Sequence, residues 1–359
     1  KTLLAIDDII RARMLGGEAV PLAMRQYEIG GGRIVFRVGG EFEATLALLQ
    51  HGKDIPWHVV SIKMLVGDGQ PAGNAWALVE RAQQILVEAA ASGESGEPQL
   101  AQLYDFLHRQ SLAVLLETVS RQAVTLRRTR WEGALAAEAS GDRSAVVLRY
   151  WASGRAAAGL SSSGGSSSNT IELRIVVLPV PRPIHAAAEE DAQAAAIAGG
   201  GEFARIERAR RDLIPKVGLR VTWTAAAGLV APQTWMRTVA GLSELSDGWK
   251  LAVDSAAVDV ERLLRQATGQ HASAVLEGLH AAVAASTDLG AGAARLIDAS
   301  PPRLRAWYRA DEGAVDFSVD GVSGRLLVAA ASSAACGPSL VAQLADRVNR
   351  SPWRVAELL

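Results

Sequence analysis

The sequence is short of the residues from which most chemical sites are built. Cys336 is its only cysteine, so there is no intrachain disulfide and no cysteine-based zinc site, and the chain suits a reducing compartment, cytosol or nucleus. The six histidines are scattered. None stands beside another histidine, a cysteine or a carboxylate at metal-ligand spacing, and His271 and His280 lie too far apart on one expected helix to share an ion. Neither sign of charge dominates: 37 Lys and Arg face 38 Asp and Glu, a net charge of −1. A dedicated nucleic-acid binder would carry a basic domain or stripe, so no direct nucleic-acid partner is expected. No apolar run reaches the ~20 residues of a membrane span, and nothing like a signal peptide is read at the amino end. No membrane partner is expected. Lys1 comes first and Leu359 directly follows an apolar turn, so the chain reads as an excerpt of a longer protein.

What the sequence does contain is alternation and amphipathic helix. Its 359 residues exceed one average domain and are enough for a sizeable core. Between Gly32 and Val66 three strands are expected in succession. Ile34, Phe36 and Val38 alternate with Arg33, Val35 and Arg37, the period of a strand with one wet face. Gly39-Gly40 permits a tight turn, and EFEATLALL follows. After a second turn at His51–Asp54, Trp57 to Val66 is the third and most apolar strand. A meander with one apolar face needs a second layer to cover it.

Helices are expected to supply that layer. Leu3 to Leu15 and Ala75 to Ala91 have helical apolar spacing, and residues 21–31 read as a connector. Pro98 opens the strongest helical pattern, running to Trp131 with Leu100, Leu103, Tyr104, Leu107, Val114, Leu115 and Val119 on one face, widened by Leu112 and Leu116. So broad a face requires burial on more than one side, by other helices of the chain or by a neighbouring subunit. This helix is expected to cover the meander. Arg143 to Trp151, Thr170 to Leu178 and Leu219 to Thr224 read as further strands. Leu160 to Asn169 is a Ser/Gly loop, and residues 186–214 hold two helices. Ser255 to Ala285 is a second long helix. After Pro301-Pro302 a βββα unit is expected from Arg303 to Arg309, Ala314 to Asp320, Gly324 to Ala330 and Ser339 to Arg350. The fold class is α/β in the α+β sense: tandem repeat-like modules, each an antiparallel meander sheet packed on long helices. Four segments result: 1–31, an amino-terminal helix and connector; 32–180, a first α/β module; 181–300, a helical region with a short strand; and 301–359, a second sheet-plus-helix unit.

Several stretches imitate functional motifs without their context. His108 reads as a residue of the helix surface or core edge rather than a base. Gly290-Ala291-Gly292 lacks the strand before it and the Lys-Ser after it that a phosphate loop needs, and reads as linker. Leu112-Ala113-Val114-Leu115-Leu116 has the spacing by which coactivator helices dock into receptor grooves. Its place within a wider apolar face makes it core. Arg127, Arg128, Arg130 and Arg143 are cations suited to a helix end and to solubility. No catalytic residue, metal ligand or cofactor site is expected. Nine tryptophans against five phenylalanines and four tyrosines are the unusual feature. Trp57, Trp151, Trp223 and Trp307 fall in expected strands, bridging sheet to helix. Trp235, Trp249 and Trp353 fall in loops or near element ends, and are the candidate partner anchors.

The string from Gly32 to Val66 resembles the Mediator subunit 14 family, which carries glycine-arginine-valine, then Gly40-Glu41-Phe42-Glu43, then Pro56-Trp57. Leu103-Tyr104 with Leu107-His108 and Gln122, and the string from Asp254 through Val260-Glu261 and Leu263-Leu264 to His271, resemble its next landmarks. His58-Val59-Val60 departs from the family's arginine-leucine-leucine. The resemblance implies an architectural, non-enzymatic subunit in the nucleus, without cofactors, joining head, middle and tail modules of a coactivator that links regulators to RNA polymerase II. Its partners would be the other Mediator subunits, with the polymerase met indirectly or at the assembly surface. The alternative is an α/β scaffold or ligand-binding domain of another large intracellular assembly.

Overall fold

The computed structural model describes residues 2–15, 18–49, 55–66, 75–92, 98–151, 169–177, 217–225, 233–239, 258–284, 294–297, 301–308, 313–331 and 338–350. Within them, helices and three antiparallel sheets, each in simple chain order, share a continuous apolar core. The Ser/Gly tract 160–168, the helices expected at 186–214, the linker at Gly290–Gly292, and Trp249 and Trp353 lie outside the described residues.

Helix α1 (Thr2–Leu15) precedes a first sheet of β1 (Tyr27–Gly30), β2 (Arg33–Val38), β3 (Phe42–Ala47) and β4 (His58–Met64). The alternation is realised as expected: Ile34, Phe36 and Val38 are buried while Arg33 and Arg37 face water. Gly40 turns the β2–β3 hairpin at φ 74°, a left-handed conformation natural to glycine. The meander has four strands rather than three. Residues 27–30, read as connector, pair with β2 through Tyr27 with Phe36 and Ile29 with Ile34. Three of the four residues of β1 are exposed, so it has no alternation to read and exists through its partner. Trp57 lies just before β4 rather than within it.

Helix α2 (Ala75–Ala91) packs on β4 and on α3 (Gln99–Arg128). Helix α3 does not serve mainly as the cover of the first sheet. It meets that sheet at β3 but lies also against α2, the second sheet and the following helix. Thirteen of its residues are buried, so the chain's own elements absorb the breadth of its apolar face. The second sheet comprises β5 (Leu135–Ala139), β6 (Ala145–Tyr150), β7 (Thr170–Val177), β8 (Val217–Ala225) and β9 (Gln233–Val239). Strand β5, LAAEA, is alanine-rich and lacks the β-branched residues that mark strands. Strand β6 starts later than expected because Arg143 sits in a turn at φ 56°.

Helix α4 (Val260–Ala284) begins after Asp259, whose Oδ1 accepts the Arg262 N–H at 3.1 Å. This capping bond explains why the helix does not extend back to residue 258. The third sheet is β10 (Ala294–Ile297), β11 (Arg303–Tyr308), β12 (Gly313–Val319) and β13 (Leu326–Ala330), followed by α5 (Pro338–Arg350). The closing unit is therefore ββββα. The extra strand, β10, has only four residues, and its central Arg295 and Leu296 are exposed.

The first and third sheets end alike. Gln83 of α2 accepts the Val59 N–H at 2.8 Å and donates to the Trp57 carbonyl at 3.1 Å. Asn349 of α5 accepts the Leu326 N–H at 2.9 Å and donates to the Leu326 carbonyl at 2.8 Å. In each, a side-chain amide from the next helix satisfies backbone groups on an edge strand that would otherwise be open to another chain.

Candidate functional site

Four clusters of described polar groups lie at joints between elements. At the first, Glu41 follows the Gly40 turn and is 4% exposed. His108 of α3, wholly buried, places Nδ1 2.7 Å from Glu41 Oε2. Tyr104, one helical turn earlier, stacks on His108 with ring centres 5.5 Å apart and leans on Phe42 at 6.2 Å. The expectation of a His108 at the helix surface or core edge is corrected. The turn of the first sheet reaches over α3 and encloses it. Sealed from water, this carboxylate–imidazole pair ties a sheet to a helix and has no substrate path in view.

The second joint holds α1. The Trp57 ring is fully buried, and its Nε1 donates to Glu18 at 3.2 Å while its backbone N–H donates to Gln99 at 3.2 Å. The Arg13 guanidinium lies over the indole, 4.6 Å from its centre. Arg13 also donates to Glu18 at 2.7 Å and to the Ile55 carbonyl at 2.8 Å. Nearer the middle of α1, Asp7 Oδ1 accepts the Gly32 N–H at 2.7 Å. Thus α1 is fastened by one carboxylate and one guanidinium to the turn of the first sheet and to the segment before β4.

Gln122 of α3 accepts the Val260 N–H at 3.0 Å, and Arg130, in the turn after α3, pairs with Glu261 at 2.8 Å. Both bonds dock the amino end of α4. The fourth joint centres on Trp151, which leaves β6 at φ 56°. Its ring stacks on His271 of α4 at 4.3 Å, and its Nε1 donates to the Gly321 carbonyl at 3.0 Å, in the turn between β12 and β13. The Tyr150 hydroxyl accepts the Trp223 indole N–H at 2.9 Å and lies 3.3 Å from His271 Nδ1. Burial raises the Tyr150 hydroxyl's pKa, with the Trp223 bond opposing part of the rise. Burial also lowers His271, from 6.5 to about 4.

The His271 shift has a consequence for stability. Folding favours the neutral ring, so the unfolded chain binds more protons between about pH 6.5 and 4. The contribution is complete above the unfolded pKa and is lost as pH falls toward the folded one. Urea melts should lose ~3 kcal/mol across that window. A His271→Gln variant should lose much less over the same range. Parallel pH profiles for the two proteins would overturn the assignment.

A family model described as Mediator complex subunit MED14 matches residues 1–50, the stretch that holds α1, β1 to β3 and Glu41. Among curated relatives, the human Mediator of RNA polymerase II transcription subunit 14 is 30% identical over 152 residues, 42% of this chain and 10% of that protein. The Aedes aegypti protein of the same name is 28% identical over 153 residues, again 42% and 10%. The Drosophila melanogaster one is 26% identical over 211 residues, 58% of this chain and 13% of that protein. Over these stretches the chain is similar to Mediator subunit 14. It spans about a tenth of the length of the curated relatives it matches.

The residues that carried the Mediator subunit 14 resemblance in the sequence sit in these joints. Glu41 meets His108, Trp57 meets α1 and α3, Gln122 meets Val260, and His271 meets Trp151. Sequence reasoning named them as landmarks without pairing them, because their partners lie 39 to 138 positions away. Trp223 is buried in β8 and bonds Tyr150 of the same sheet, whereas Trp151, expected within a strand, lies just after β6 and reaches the helix at His271. Trp131, expected to end the long helix, is buried in the turn that follows α3.

The other readings resolve as follows. Leu112, Leu115 and Leu116 are buried, so the receptor-docking spacing is core. Arg130 is paired with Glu261, which breaks up the arginine cluster. Trp235 is the third of the seven residues of β9, opposite Trp223. Trp76, in the first turn of α2, is 73% exposed. It lies off the face defined by Ala82, Leu86 and Ala89, and that offset was the available signal.

A groove of about 460 Å³ lies between α3 and one end of the second sheet, with Ala113, Ile175, Val176 and Val217 on its floor. Arg109, Glu117, Asp142 and Arg143 also line it. Hydrogen bonds from Ser140 and Ser144 hold the Asp142 carboxyl down at about 2. Among the described residues no group of three or more His, Cys, Asp or Glu could hold a metal ion.

Proposed function

We propose that this chain is an architectural segment of a Mediator subunit in the nucleus, a frame on which neighbouring subunits are held. The observation that carries the reading is the location of the family landmarks: they fasten α1, the sheets, α3 and α4 together and do not gather at a cleft. Residues that serve packing across a frame are what a scaffold needs, and a catalyst would need convergent polar groups open to substrate. The reading therefore includes no enzymatic activity and no cofactor.

The curated relatives are named as subunits of the Mediator of RNA polymerase II transcription. The partners proposed here are other Mediator subunits of the head, middle and tail modules, with the polymerase met indirectly or at the assembly surface. Repeat-like construction is part of the proposal. It is supported by two four-stranded meanders, each followed by a helix whose amide caps the last strand.

The test is to tag the full-length protein in its own cells and identify what co-purifies from nuclear extract. Mediator subunits in stoichiometric amount are expected. Their absence, or recovery of a different assembly, would overturn the reading. Trp235, Trp249 and Trp353 remain the proposed partner anchors. Exposed Trp76 joins them. An acidic substitution at a true anchor should weaken assembly by ~2 kcal/mol or more, about thirtyfold, without lowering the melting temperature. If all four variants assemble like the parent, the anchors lie elsewhere.

A further inference from the structure

We propose that Trp151 is the positioning residue that fixes the angle between the two ends of the frame, coupling the second sheet to the third. This rests on the architectural reading, since in a scaffold the relative placement of surfaces is the function.

The third sheet rests on α4 and α5, and α4 rests on α3. Two polar links, from Gln122 of α3 to Val260 and from Arg130 in the turn after α3 to Glu261, tether the amino end of α4. Packed helices can slide or pivot on one another, the ordinary shear and hinge motions of packed elements. Trp151 lies away from that tether. It leaves the end of β6, stacks on His271 near the middle of α4, and donates its indole N–H to Gly321 beyond it. One side chain thereby touches second sheet, fourth helix and third sheet.

The seat is shaped for the ring. Gly324 closes the turn at φ 70°, and a Cβ built there would stand 2.5 Å from Trp151 Cδ2 and 2.7 Å from Cγ. No side chain fits that position while the indole keeps its place. The same turn is braced from within: Asp320 accepts the Ser323 N–H at 2.9 Å, and the Ser323 hydroxyl also donates to it. Trp151 itself holds a positive φ, which a bulky residue keeps only where its surroundings over-determine it. Strain on one side and a glycine cradle on the other describe a fitted joint rather than incidental core.

The test places spin labels on Lys63→Cys in β4 and Leu327→Cys in β13, both exposed in this fold, in the full chain carrying Cys336→Ser. The distance distribution between them is measured with and without Gly324→Ala. Hydrogen exchange in β2, β3, β11 and β12 monitors the two outer sheets. Gly324→Ala should broaden the distribution about twofold, as expected when an inter-unit contact is lost, while both sheets keep the parent's protection. An unchanged width would overturn the proposal. So would loss of protection in either sheet, which would make Trp151 an ordinary core residue. If Gly324→Ala does not fold, Trp151→Phe is judged by the same two criteria, because it keeps a ring against His271 and cannot donate to Gly321. An unchanged width in a protein that still co-purifies with Mediator subunits defeats this inference alone. Failure of the parent chain to co-purify defeats the architectural reading whatever the distances do.

Discussion

Trp57→Ala should cost ~3–5 kcal/mol of stability, the range for emptying a large buried aromatic site. The ring is fully buried, and its removal does more than leave a cavity. Glu18 loses the indole N–H, and Arg13 loses the surface over which its guanidinium is stacked. Arg13 and Glu18 are themselves nearly enclosed, at 6% and 12% side-chain exposure. Water entering the cavity would solvate a pair that the fold now keeps dry. The loss should therefore reach α1, with amide protection of Ile9 and Ile10 falling along with the urea midpoint. Trp57→Phe keeps much of the volume but not the N–H bond and should recover roughly half of the loss. A Trp57→Ala variant within ~1 kcal/mol of the parent would show that the site collapses without cost and would remove Trp57 from the frame.

The Glu41–His108 pair is expected to be comparably sensitive to removal of either partner. His108→Ala leaves a carboxylate 4% exposed without the imidazole beside it. Breaking a buried pair in this way costs ~3–5 kcal/mol, largely as the desolvation of the group left behind. Glu41→Ala strands the other member. Among the described residues His108 Nε2 has no hydrogen-bond partner, so losing the bond at Nδ1 leaves the ring with neither nitrogen satisfied by them. The double variant Glu41→Leu/His108→Leu should be less damaging than the sum of the singles, with a coupling energy of ~0.5–3 kcal/mol. Strict additivity in urea melts would show that the two groups do not depend on each other.

Local chemistry was legible wherever one face of an element meets water. The β2–β3 hairpin, α2 and the strands of the third sheet from β11 onward follow their alternation or helical spacing. So does the burial of Leu112, Leu115 and Leu116. What escaped were short or atypical strands. Exposed β1 and alanine-rich β5 carry little apolar signal of their own and are held by neighbours through backbone bonds. Backbone pairing is blind to side chains, so no residue pattern announces it.

By itself, the sequence determined the main helices and the strands with clear alternation, the absence of an intrachain disulfide, the balance of charge and the resemblance to Mediator subunit 14. Those properties depend on residues near one another in the chain, or on composition alone. Only the tertiary structure decided that α3 serves two sheets and two helices, that Glu41 belongs with His108, and that Trp151 reaches from the second sheet to the third. These facts join residues 67, 120 and 170 positions apart. Such pairings are set by how whole apolar faces stack when the core closes, because burial of those faces outweighs any local preference of the residues that meet there.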